Sequence, residues 1–296
     1  MRILVIRKDG EGLASDWLPQ GVMVGDGGCG TMLQAAGLPP GQAPEIWNLE
    51  QPQYILSLHK AYLQAGAQLI ESNTFGGNRL RLKRAGLATD LVQINRSGVM
   101  LAKQAAAEGA LVAAAIGPTG EILAPYGDLS IDQARDVFRE QAEALLMDEP
   151  DILLIESMLS LAEAEVALEA VLDCGLPVIV QLSFTEQGVT AWGDSAGQAA
   201  RRLLDLGAAA VGANCAGPAE LVPVVQEMNA VAGDHPVTVF PNAGIPYLED
   251  GRTIYPMGAQ EFSQWAVRLV AAGARVVGGC CGTTPQHIRA LVEALP

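Results

Sequence analysis

The sequence predicts an α/β protein folded as a (β/α)8 TIM barrel, and three observations carry that reading. Eight apolar runs recur a few tens of residues apart, each run is continuous rather than alternating, and each has a helical pattern between it and the next run or the C-terminus. Continuous runs mark parallel strands covered on both faces. Strand–helix alternation repeated eight times is the pattern that closes a barrel. An open doubly wound sheet would carry a glycine-rich dinucleotide fingerprint after its first strand, and none opens a helix here.

In chain order the expected strands are GVMVGDGG, AQLIESNTF, ALVAAAIGP, DILLIES, LPVIVQLSF, AAAVGANC, PVTVFPNAG and ARVVGGCC. The expected helices are PQYILSLHKAYLQAG, LVQINRSGVMLAKQAAAEG, SIDQARDVFREQAEALLMD, LAEAEVALEAVLDCG, AGQAARRLLDLG, PAELVPVVQEMNAVAG, AQEFSQWAVRLVAAG and PQHIRALVEAL. Several of these close with Gly, the residue best suited to the left-handed position after a helix. Residues 1–20 read as an N-terminal extension and 21–296 as one domain, with no linker inside it. The stretches 28–51 and 185–195 read as rim loops.

Composition narrows the function. The 296 residues carry a formal net charge of −15, which disfavours nucleic acid and anionic lipid as partners. No apolar run approaches the ~18 residues of a membrane span, and the start lacks a secretory pattern, so a cytoplasmic protein is expected. Five cysteines are too few, and odd in number, for a disulfide scaffold, which points to metal binding or catalysis.

Barrel active sites lie at the C-terminal ends of the strands. The polar residues closing the runs are therefore the candidates: Asp26, Asn73 and Thr74, Glu156, Ser183, Asn214 and Cys215, Asn242, and the pair Cys280 and Cys281. A single buried cysteine is usually inert. Three at the ends of the sixth and eighth strands instead suit Zn²⁺, which takes thiolate ligands in a tetrahedron and, with three protein ligands, keeps one position open. Adjacent strand residues point to opposite faces, so Cys280 and Cys281 reach one ion only if the chain turns there; Gly278, Gly279 and Gly282 are expected to supply that freedom. His59, His235 and His287 fall in helical or turn contexts away from the strand ends. A three-thiolate zinc is a poor Lewis acid for hydrolysis but a good host for a substrate thiol, because coordination deprotonates it. Thiol alkylation is the expected chemistry.

With these residues placed, the chain resembles the homocysteine S-methyltransferase family from about residue 21 onward. The resemblance rests on DGGCGTMLQ, PEIWNLEQP, HKAYLQAGAQLIESNTFGGNRLRL, AAIGPTG, DILLIES, GANC, PNAG and GGCCGTTPQHI. It implies Cys215, Cys280 and Cys281 as zinc ligands, and Asp26 and Glu156 as carboxylates for the α-ammonium group of homocysteine. It also implies backbone N–H groups around Gly27, Gly28 and Thr31 for the substrate carboxylate, with Asn73 and Asn242 as further substrate-binding candidates. No side chain is expected to act chemically beyond the zinc-activated substrate thiol. Cys29 occupies a variable place in its motif and Cys174 ends a helix, so neither is counted as a ligand.

The resemblance leaves the methyl donor open. The wording GTMLQ, EIWNLEQP and GGCCGTTPQHI is most similar to the homocysteine module of cobalamin-dependent enzymes, which implies a methylcorrinoid carried by a separate protein. S-methylmethionine or S-adenosylmethionine is the alternative donor. A zinc barrel serving only as a non-catalytic partner subunit, and a thiol acceptor other than homocysteine, are further alternatives.

Overall fold

The computed structural model describes residues 17–18, 21–107, 109–249 and 251–295. Most of the expected extension (1–16 and 19–20) lies outside the described residues. Among the described residues ten strands are formed: β1 (Met23–Val24), β2 (Leu69–Glu71), β3 (Leu111–Ile116), β4 (Ile152–Met158), β5 (Val178–Leu182), β6 (Ala210–Asn214), β7 (Val237–Phe240), β8 (Tyr247–Glu249), β9 (Arg252–Ile254) and β10 (Ala274–Val277). Eight of them make one parallel sheet in the order β1-β10-β7-β6-β5-β4-β3-β2. A parallel bridge between Gly25 and Leu69 joins its two ends, and the Gln68 N–H donates to the Val24 carbonyl at 2.7 Å across the same seam. The sheet is thus closed, and each barrel strand falls in a run the sequence predicts, with β4 continuing one residue past its run to Met158.

The helices are α1 (Cys29–Ala35), α2 (Trp47–Glu50), α3 (Pro52–Ala65), α4 (Arg79–Arg84), α5 (Leu91–Ala106), α6 (Ile131–Leu146), α7 (Leu161–Val171), α8 (Ala196–Leu206), α9 (Pro218–Ala232), α10 (Ala259–Ala271) and α11 (Pro285–Ala294). The eight long ones match the predicted patterns. Ser130, Ser160 and Ser195 cap α6, α7 and α8 by accepting backbone N–H bonds, as short hydroxyl side chains do at helix starts.

Two features depart from expectation. Residues 28–51, read as a rim loop, contain α1, a 3-10 turn at Pro44–Ile46 and α2. Helices this short show too few turns for an apolar period to register, and tertiary packing holds them. The antiparallel hairpin β8–β9 was also not anticipated.

Packing follows the alternation of the strands. Inward-facing Met23, Leu69, Ala113, Ile152, Leu154, Ile179, Ala210, Phe240 and Val276 fill the barrel interior, and Trp17, which the sequence reading assigned to the extension, packs with them. Outward-facing Leu153, Ile155, Val178, Val180, Val211 and Val239 form a second layer with the helices. Full burial of such side chains stabilises by about 1.5–3 kcal/mol each, so the strand ends that carry polar groups sit on a rigid frame.

Candidate functional site

Three sulfur atoms meet at the C-terminal mouth of the barrel. The Sγ atoms of Cys215, Cys280 and Cys281 lie within 4.8 Å of one another, with 4.0 Å between those of the adjacent pair. Ligands about 2.3 Å from a tetrahedral ion stand ~3.8 Å apart, so the donor set and its spacing fit Zn²⁺. Cys215 follows β6 with a left-handed φ of 60°. For a residue with a Cβ this backbone is strained, and such strain tends to occur where the surrounding fold dictates a side chain's direction.

The glycines around the pair work differently from expectation. Only Gly282 takes a left-handed φ (79°), and a Cβ there would lie 2.2 Å from the Tyr255 ring. Gly278 and Gly279 need no unusual φ; they are small because a Cβ would stand 2.9 Å from the Asp26 carbonyl oxygen and 2.5 Å from the Thr283 hydroxyl, respectively. Close packing, rather than conformational freedom, explains those two. The turn is tied down by the Gly282 N–H donating to the Thr31 hydroxyl (3.1 Å) and the Thr283 hydroxyl donating to the Cys280 carbonyl (2.6 Å).

Proton sharing among the thiols concentrates charge on one of them. Hydrogen bonds from Cys215 and Cys280 pull Cys281 down to about 3, against its burial. Hydrogen bonding to Cys215 and Cys281, together with burial, pushes Cys280 well above the usual thiol range.

Next to the sulfurs lies a group of buried acids. Glu156, near the end of β4, is 7% exposed, and its Oε2 accepts from the Asn214 amide at 2.9 Å. The same amide donates to the Ser157 hydroxyl (2.8 Å) while its oxygen accepts the Ser157 N–H (3.0 Å), which clamps a backbone with a left-handed φ of 57°. Asp26 is 3% exposed; its Oδ2 accepts the Glu71 N–H at 3.0 Å and its Oδ1 is buried without a partner. Burial, and then the Cys281 charge, lift Glu156 to about 8. Burial foremost, with each acid's neighbours adding repulsion, raises Asp26 and Glu71 well above the ordinary carboxylate range.

Glu71 is the residue sequence reasoning missed. It ends β2, lines the same cavity as Glu156, and leaves Oε1 buried without a partner. A signal was present: Leu-Ile-Glu-Ser occurs twice, at 69–72 and at 154–157, so both glutamates close an apolar run in the same local context. Glu45 was also missed; its Oε1 accepts the Gly76 N–H at 2.5 Å. Among the described residues no Lys, Arg or His makes an ion pair with Asp26, Glu71 or Glu156.

The cavity that joins the three cysteines with Glu71, Glu156 and Glu45 has a volume of about 700 Å³; Asp26 and Asn242 do not line it. Gly27, Gly28, Thr31 and Asn73 line it. The Gly28 N–H is committed to the Thr283 hydroxyl (2.8 Å), which takes it away from a substrate carboxylate and leaves the first N–H groups of α1 at this wall. Asn73 holds the scaffold, donating to the Pro44 carbonyl and the Asn48 side chain, both at 2.9 Å, while its oxygen faces the Cys29 thiol at 3.5 Å. Asn242 is 5% exposed, and its Oδ1 has no partner. His287 caps the start of α11 and His235 lies below a strand start, while Cys174 accepts a backbone N–H at its own turn.

The fold and the site together define a class: closed α/β barrels whose mouth gathers three thiols beside buried acids without a basic partner among the described residues. Within that class, residues 23–295 match the family described as homocysteine S-methyltransferase, and the chain belongs to that family. It is 33% identical to the methionine synthase of Mycobacterium leprae (strain TN), over 94% of this chain and 24% of that protein. It is likewise 33% identical to the methionine synthase of Mycobacterium tuberculosis (strain ATCC 25618 / H37Rv), over 95% of this chain and 25% of that one. The chain thus spans about a quarter of these relatives. The crystal structure of the homocysteine methyltransferase MmuM from Escherichia coli, metallated form, superposes with a TM-score of 0.81 at 23% identity, covering 95% of this chain and 99% of that one, a likeness of fold.

Proposed function

We propose that this barrel methylates the thiol of homocysteine to give methionine, using Zn²⁺ held by Cys215, Cys280 and Cys281. The observation that carries the reading is the joint presence, in one cavity, of a three-thiol cluster and buried carboxyl groups without a cation. Zn²⁺ at this site would supply a lowered pKa to an incoming thiol while its electron-rich ligands keep that sulfur nucleophilic. The chain's own residues fix the rest of the substrate. Glu156 and Asp26, with Glu71 as a third acceptor, match the three N–H donors of an α-ammonium group, whose charge relieves the repulsion among them. The first turn of α1 accepts the substrate carboxylate, and the Phe240 ring, packed over Gly25 and Gly278, forms an apolar floor for its methylenes.

For the donor, the motif resemblance supports a methylcorrinoid presented by a separate protein at the open mouth. A specific observation favours S-methylmethionine or S-adenosylmethionine instead: the cavity, about 700 Å³, is much larger than homocysteine and is also lined by Gln42, Phe75 and Arg84. Turnover of purified protein with homocysteine and S-methylmethionine alone would dispense with the corrinoid. Among the described residues no helix is long and apolar enough to cross a membrane; the reduced thiols the site requires agree with a cytoplasmic setting.

The test is metal analysis paired with homocysteine calorimetry. Cys215→Ala should lose bound zinc and methyl transfer together, by at least about a thousandfold in activity. Normal zinc content in that variant would remove the ligand assignment, and zinc without homocysteine binding in the unaltered protein would favour a non-catalytic subunit.

A further inference from the structure

The sulfur cluster has a polar neighbour that does not line the cavity. Tyr255, directly after β9, is half-buried. Its ring lies against Gly282, where an added Cβ would stand 2.2 Å from the Tyr255 Cγ. The segment that carries it is tied to the cysteine turn. The Met257 N–H donates to the Ala243 carbonyl at 3.0 Å, and the Ala243 N–H donates to the Cys281 carbonyl at 2.9 Å. The Met257 carbonyl meets His287 Nε2 at 2.9 Å, which fixes the same segment to α11. So placed, the Tyr255 hydroxyl is hydrogen-bonded to Cys281, while Cys215 and Cys280 act on it through their charge. Packing on Gly282 needs only the ring, and the hydroxyl is left to the sulfur. A phenol is a neutral O–H donor at neutral pH, and a cysteine that ligates a metal is a thiolate. The contact is therefore of the charge-assisted kind.

We infer that Tyr255 is a positioning residue of the metal centre, whose hydroxyl lowers the nucleophilicity of Cys281 and so directs alkylation to the substrate sulfur. The inference rests on the reading that Cys215, Cys280 and Cys281 hold Zn²⁺. All three line the cavity, so an alkylating carbon that reaches the substrate thiolate can also reach them. Selectivity then needs a difference in electron density among the sulfurs. A hydrogen bond into Cys281 withdraws charge from that ligand, as partners of metal ligands do. The substrate sulfur, on the cavity side, receives no such bond from Tyr255. Misdirected alkylation would form a sulfur–carbon bond at Cys281, with the leaving group departing on its own electron pair. The thiolate would become a neutral thioether, outside the ligand types Zn²⁺ favours.

The experiment is alkylation of the zinc-loaded protein by iodoacetamide, with the rate at each cysteine followed by peptide mass spectrometry. It is run on the unaltered chain, Tyr255→Phe and Tyr255→Leu. Tyr255→Phe keeps the ring and removes the donor, and should raise the Cys281 rate about 3–10-fold, as expected for a lost hydrogen bond to a charged group. The Cys215 and Cys280 rates should stay as they are, and zinc released to a chromogenic chelator should track the alkylation of Cys281. Tyr255→Leu should raise the Cys281 rate at least as much. Equal Cys281 rates in unaltered protein and Tyr255→Phe would overturn the inference. So would a rise in Tyr255→Leu alone, because the ring would then only cover the sulfur. A uniform rise at all three cysteines would overturn it too, since the whole centre would have loosened. Retained zinc with an unmoved Cys281 rate defeats this assignment alone, whereas failure of the unaltered protein to hold zinc defeats the underlying function.

Discussion

At the floor of the cavity polar groups are held by buried hydrogen bonds, and along α4, which borders the cavity through Arg81 and Arg84, by ion pairs that face solvent. Asn214 alone fixes Glu156 and Ser157 with three bonds of 2.8–3.0 Å, and Thr283 joins the Gly28 N–H to the cysteine turn. On α4 the pairs Arg79–Glu140 and Arg84–Glu121 have side chains 38–54% exposed. Buried bonds in a low-dielectric setting are costly to leave half-made, whereas exposed pairs are screened and contribute little. The floor is therefore preorganised, as a site must be when it positions a reacting sulfur. Helix α4 is expected to tolerate change more readily.

Substitutions at the floor should have the largest effects. Glu156→Gln should weaken homocysteine binding about 10–100-fold with zinc retained, because one charged acceptor for the ammonium is lost. Unchanged affinity by calorimetry would break the floor's assigned role. Glu71→Gln should act in the same direction, and its effect should shrink for an analogue lacking the amino group; an equal loss with that analogue would mean a structural role only.

A buried group outside both regions gives a pH-dependent control. His59 is 1% exposed, and burial lowers it to about 4, while Nε2 has no partner. As pH falls, the unfolded chain binds the proton first, near the ordinary histidine value of 6.5, so stability drops between about 6.5 and 4. From pH 7 to pH 5 the loss is about 2 kcal/mol. Urea unfolding of His59→Leu should show a flatter pH dependence by that amount; an identical slope would assign the acid sensitivity elsewhere. Smallest of all, Arg79→Ala should change stability by no more than about 1 kcal/mol, less in high salt. A larger loss would make α4 as firmly held as the floor.

Much of the molecule could be read along the chain. Parallel strands buried on both faces must be apolar throughout, so all eight barrel strands and the eight long helices left a pattern. The three cysteines and Glu156 stood out because each closes such a run. Asp26 closes one too, although its Oδ2 is engaged by Glu71 rather than free in the cavity. Glu71 was passed over in favour of Asn73, two residues on, and Asn73 instead braces the 3-10 turn through Pro44.

By itself the sequence determined the strand–helix order and which residues sit at strand ends, because burial period and chain punctuation are local properties. Tertiary structure alone decided what converges. Barrel closure through the Gly25–Leu69 bridge sets β2 against β1 and so Glu71 against Asp26. The left-handed turns at Cys215 and Ser157, and the seating of Arg81 on Phe75, depend on neighbours far away in sequence. Those contacts arise from packing between elements, which no local pattern encodes.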